Sequence, residues 1–273
     1  MSPEFEWQLI VAGTVLLLAA TLVQLTALAR RRDGYKPTAI IYAATATVFG
    51  IAIAGRWVRE GQGPFMTMYE ILLSSVFSLC LIFLVVSAAM AVARAGAFVV
   101  SPLLLMLCLW LVNESAAATP LPGSFDNPWL WAHVLSGKVF LGFCMAATAL
   151  AVAMLLRGML SAGRFARLDA APEEAEQSIW TLFFVAFICH SFMLVAGSVW
   201  AHSAWGRYWS WDSLETWTLV TWLALGGLLH ARATFKNMPA GLGHALVVGV
   251  FALAFLTFFG VPFLSIAPHK GLM

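Results

Sequence analysis

Apolar runs of about 20 residues, the length a helix needs to cross roughly 30 Å of hydrocarbon, recur along this chain with short polar connections between them. They lie near residues 7–29, 38–55, 69–93, 97–113, 133–156, 178–201, 214–232 and 242–266. The pattern predicts an all-α, polytopic membrane bundle of about eight transmembrane helices. The fourth run is the weakest, with Pro102 near its start and Asn113 and Glu114 closing it early. No long linker or internal repeat divides the chain, so residues 1–273 are expected to form a single domain.

Composition agrees, since 62% of the residues are hydrophobic, 10% are charged and the mean hydropathy is +0.88. A net charge of +2 is too small to argue for nucleic acid. The position of the charges says more. Loops after odd-numbered runs hold Arg30, Arg31, Arg32, Lys36, Arg94, Arg157, Arg164, Arg167, Arg232 and Lys236, ten of the fifteen basic residues. Arg56, Arg59, Lys138, Arg207 and Lys270 fall on or near the other side. Positive charge stays on the cytoplasmic side, which turns both termini outward, together with the 114–132 loop and the connection between runs six and seven. Glu4 and Glu6 before the first run and three arginines after it are the wrong order for a cleaved signal peptide, so that run reads as a permanent span. Cys80, Cys108, Cys144 and Cys189 lie inside apolar runs with no CxxC pair, which points to buried, inert thiols. The charge-mixed 157–177 connection reads as a solvated loop.

One outward stretch exceeds what membrane packing asks for. Trp205 to Trp217 reads WGRYWSWDSLETW, four tryptophans with Tyr208, Arg207, Asp212 and Glu215. Interfacial tryptophan would explain one or two of these rings. A flat, wide, apolar ligand with acidic groups would explain the rings and the cation together.

The stretch resembles the tryptophan-rich WWD signature of the haem-handling proteins of cytochrome c maturation. Its DSLETW ending is most similar to the CcsA/ResC-type proteins of the system II cytochrome c synthase. A second segment, GQGPFMTMYE at 61–70, resembles the P-x-x-x-x-Y-E segment that members carry after the second span; read alone it is a Gly-Pro turn opening a helix. The resemblance implies an external WWD haem-binding loop over about 200–217.

It also sorts the histidines. Members carry a pair of external histidines that ligate the haem presented for attachment, and His133 and His269 are the matching positions. His230, near the cytoplasmic end of run seven, matches a histidine that helps take up haem from inside; a helix-end histidine beside Arg232 is the plainer alternative. His190, in the middle of run six, matches no family position. It could pair with His230 around an inner haem, or be hydrogen-bonded between helices. His202 and His244 read as structural.

In this picture Trp205, Trp209 and Trp211 form a shelf for the porphyrin, Arg207 meets a propionate, and Asp212 and Glu215 bond indole N–H groups. The haem, haem b as substrate, would have its vinyl groups attacked by the thiols of a CxxCH segment in apocytochrome c. The resemblance further implies a CcsB/ResB-type membrane partner and a thioredoxin-like thiol reductant, in a bacterial inner membrane with the WWD loop facing the periplasm. Three alternatives remain: a HemX-like regulator of haem synthesis, a b-type electron-transfer subunit held by His190 and His230, and a transporter with interfacial tryptophans. The topology is directly testable. An alkaline phosphatase fusion after Ser210 should be active and one after Phe165 inactive; the opposite pattern would invert the orientation.

Overall fold

The computed structural model describes residues 1–63, 65–119, 127–159, 171–235 and 237–264. The helices are α1 (Pro3–Ala29), α2 (Tyr35–Glu60), α3 (Met68–Ala89), α4 (Ala97–Leu111), α5 (Pro128–Met159), α6 (Pro172–Trp205), α7 (Ser213–Thr234), α8 (Ala240–Phe259) and a last turn, α9 (Val261–Leu264). No strand occurs among the described residues. Seven of these segments are long and apolar enough to cross a membrane, the fourth being Ala91–Leu111, in which a 3₁₀ turn (Ala91–Gly96) leads into α4. The seventh run is the exception. It forms α7, but Glu215, Trp217, His230 and Arg232 dilute its apolar character.

Burial explains why both faces of these helices are apolar. On α1, Ile10, Gly13, Leu17, Ala20 and Gln24 face the interior. Val11, Val15, Leu18, Leu22 and Leu25 are exposed on the opposite face. Helical periodicity survives in burial and disappears from hydrophobicity, as expected where lipid replaces water outside. One continuous core runs from Ile10 on α1 to Phe259 on α8. The first four helices pack mainly on one another, α5–α8 form the second group, and contacts of α3 with α5 join them.

The apolar runs and the helices differ in length. Run five begins at 133, but Pro128 starts α5, and α6 extends from Pro172 to Trp205, about 51 Å at 1.5 Å per residue. Polar residues such as Glu173, Glu174 and Glu176 carry α6 beyond its apolar run. Within the bundle, polar groups find partners on neighbouring helices. Gln24 Nε2 donates to Thr38 Oγ1 at 2.8 Å, Trp222 Nε1 to Ser191 Oγ at 2.8 Å, and Thr221 bonds Thr257 at 2.9 Å. All four cysteines are free, with Cys80, Cys108 and Cys144 buried.

The strongest polar knot lies at the end that carries the tryptophan stretch. Arg56 of α2, 1% exposed, donates from Nε to Glu70 Oε1 at 2.9 Å, from Nη1 to Glu6 Oε1 at 3.2 Å and from Nη2 to the Ala116 carbonyl at 3.1 Å. Glu6 also accepts from Tyr69 Oη at 2.8 Å, and from Arg59. Glu70 closes a capping box with Thr67 and accepts the Met66 amide at 2.9 Å. The Tyr-Glu pair of the 61–70 segment thus locks α1, α2 and α3 around one guanidinium. Arg56→Met would leave Glu70 buried without its cation and Glu6 with Arg59 alone. Breaking a buried pair costs about 3–5 kcal/mol. The variant should therefore unfold in detergent at a clearly lower temperature; an unchanged melting curve would contradict this role.

Candidate functional site

The WWD stretch is a short loop held between two helix ends. α6 continues to Trp205, where Gly206 adopts a left-handed conformation (φ 73°) and its N–H returns to the His202 carbonyl. Asp212 caps α7, its carboxylate accepting the Glu215 N–H at 2.9 Å. Glu215 reaches back and accepts the Ser210 N–H at 2.6 Å. Between these ends Trp211 is held at φ 60°, unusual for a residue with a side chain. The two carboxylates therefore close the loop through its backbone, where the sequence suggested bonds to indole N–H groups. The non-helical part is only Gly206 to Asp212.

Nor do the rings form one shelf. Trp205 turns inward onto Trp200 (centroids 4.9 Å apart), in a small core with Met66 and Leu130 that ties the 61–70 segment to α5 and α6. Trp209 and Trp211 meet edge to face at 81°. Trp211 is 70% exposed and Trp217 also faces outward. Tyr208 stacks on His202 at 4.2 Å, which gives His202 a packing role. Arg207 is exposed and does not line the cavity described next.

Under the loop lies a cavity of about 250 Å³, walled by α3, α5, α6, α7 and α8, with Tyr208 at its rim. His133, one turn into α5, faces it. Its Nδ1 lies 2.9 Å from the Met193 carbonyl of α6. A carbonyl only accepts, so Nδ1 carries the proton and Nε2 the lone pair. Backbone contact of this kind orients metal-ligating imidazoles. The approach needs Gly197, because a Cβ there would stand 2.5 Å from Nδ1. Trp209 lines the cavity, and its buried Nε1–H has no partner among the described residues. Lys138 reaches it from α5, donating to the Ile71 carbonyl at 3.1 Å and Ser75 Oγ at 2.8 Å. Apolar walls, an oriented imidazole and two N–H donors fit a flat, carboxylated ligand. Sequence reasoning passed over Gly197 and Lys138; the lysine's place inside an apolar run was the available signal.

The other histidines divide by depth. His190 is fully buried, stacked on Phe140 of α5 at 4.1 Å, with neither ring nitrogen hydrogen-bonded among the described residues. The expected helix-to-helix hydrogen bond is therefore missing. Nor does His190 meet His230. Ser191 lies level with Trp222, and Glu176 with Arg232 (3.5 Å), so His230 stands about two turns further along α7. His230 is exposed and within 3.5 Å of Thr234 Oγ1. His244 bonds Glu176 at 2.6 Å, beside Trp180 and Arg232. His269 lies outside the described residues, a few positions after Pro262, which lines the cavity.

Comparison with known proteins places this architecture. The chain is 28% identical to the cytochrome c biogenesis protein CcsA of Gloeobacter violaceus, with 96% of this chain and 92% of that protein aligned. It is 27% identical to CcsA of Porphyra purpurea, with 93% of each covered. Its fold matches the solved structure of the cytochrome c haem lyase CcmF with a TM-score of 0.69 at 17% identity. That match covers 95% of this chain and 47% of the other, so the chain spans about half the length of CcmF. Residues 9–269 match the family of cytochrome C assembly proteins, and the chain belongs to that family.

Proposed function

We propose that this chain binds haem under the WWD loop and presents it for covalent attachment to the CxxCH segment of apocytochrome c. The observation that carries the reading is the His133 imidazole, its Nδ1 proton engaged by Met193 and its ring facing an apolar cavity beneath the tryptophan loop. His133 serves as one axial ligand and His269 as the other. Trp209 covers the ring system from the loop, while Asp212 and Glu215 fix the loop that carries it. Haem b is the substrate, and attachment adds each cysteine thiol across a vinyl group. Thiols must be free and iron reduced for this, which calls for a thioredoxin-like reductant and a CcsB/ResB-type partner. The protein itself supplies position and ligation.

Support comes from the bundle and from the relatives. Curated proteins alignable over most of both chains act in cytochrome c biogenesis by name, and the structural neighbour is named a haem lyase. We take α7 as the eighth crossing, antiparallel to α6, which keeps both termini and the loop on the periplasmic side of a bacterial inner membrane. His230 then lies toward the cytoplasmic face, where it assists haem entry.

The test is assembly in cells lacking their own cytochrome c maturation genes, supplied with this chain and a CcsB/ResB-type partner. Wild type should yield haem-stained cytochrome c, and His133→Ala should reduce it to background. Gly197→Ala, which pushes the imidazole from Met193, should lower it about tenfold, the usual scale for losing a ligand's orienting contact. His202→Ala should keep most of it. Full assembly by His133→Ala would refute the ligand assignment.

A further inference from the structure

Lys138 places an amine in an apolar cavity at the depth of a membrane helix. Its hydrogen bonds go to two neutral groups, the Ile71 carbonyl and Ser75 Oγ, and no carboxylate among the described residues lies within 4 Å of Nζ. Glu215, which shares the cavity, is turned to the Ser210 amide. Once protonated, an amine held this way lacks the counter-charge that buried cations ordinarily have, and its location in a span marks it as a functional candidate. The second observation is independent. Trp209, which lines the same cavity, has a buried N–H without an acceptor among the described residues. Two donor-bearing side chains thus line one apolar space, which suits an anionic acceptor on an apolar body.

We propose that Lys138 binds a carboxylate of the ligand in this cavity, which Trp209 also lines. This rests on the haem reading and deepens it, since it makes Lys138 the receptor for a propionate. Arg207, the sequence's candidate, points outside the cavity. A lysine there selects for acid-bearing macrocycles. It also sets the direction in which the ring enters, because the acid edge must turn toward α3 and α5, where Nζ is anchored.

The test is titration of the full-length protein in detergent with haemin and with its dimethyl ester, read by quenching of tryptophan fluorescence. Wild type should bind the free acid about tenfold more tightly than the ester, the scale of one charge-assisted hydrogen bond. Lys138→Gln keeps a donor for Ile71 but removes the charge. It should bind acid and ester alike, with ester affinity unchanged, while Lys138→Arg and Arg207→Gln retain the preference. Equal binding of acid and ester by wild type would overturn the role of Lys138 alone. So would a preference that survives Lys138→Gln. Failure of wild type to bind either compound would overturn the haem reading and this inference with it.

Discussion

A polar group inside a bilayer has no water to turn to, so it must find its partner within the protein. That constraint shapes this bundle. It gathers Glu6, Arg56, Tyr69 and Glu70 into one buried knot, pairs Thr221 with Thr257 and Trp222 with Ser191, and leaves the lipid-facing stripe of α1 without a polar atom to satisfy. Against that thoroughness the unsatisfied groups carry information. Among the described residues they are few, and one of them, Trp209 Nε1, belongs to a side chain lining the cavity that Lys138 also reaches.

The cavity owes its position to the long α5–α6 pairing. Gly197 lets the two helices bring His133 to the Met193 carbonyl, which fixes both the direction and the tautomer of the ring. The arginine knot and the small core around Trp200 hold α3 and the 61–70 segment against the same end. The tryptophan loop is then closed over the space by Asp212 and Glu215. These carboxylates act on backbone N–H groups, so the loop keeps its shape whichever way its rings turn. His190 belongs to a different layer, deeper in the bundle against Phe140. The buried histidine and the exposed His230, about two turns apart, do not form a b-type haem pair.

Much of the architecture could be read from the chain. Apolar runs located the helices, because a lipid-facing helix must be apolar on both sides. Their ends could not be read the same way: Pro128 and Pro172 start helices several residues before the corresponding apolar runs begin. His133 was visible by its place beside the tryptophan loop, but its carbonyl partner sixty residues away was not. Asp212 and Glu215 were visible, but their bonds to the Glu215 and Ser210 amides were not foreseen, although an acid followed three residues later by glutamate is a helix-start signal. Lys138 was counted only as a charge in the orientation argument. Its meaning depends on a cavity assembled from five helices, which no local pattern contains. The joining of Glu6 to Arg56 and Glu70 likewise depends on three helices meeting.

The most direct test of the central claim is the visible spectrum of the purified protein, oxidised and reduced, for wild type and His133→Ala. The account predicts a low-spin, bis-histidine haem spectrum in wild type that is lost or turns high-spin in the variant. A spectrum unchanged by His133→Ala, or one that vanishes only when His190 or His230 is replaced, would place the haem elsewhere and contradict it.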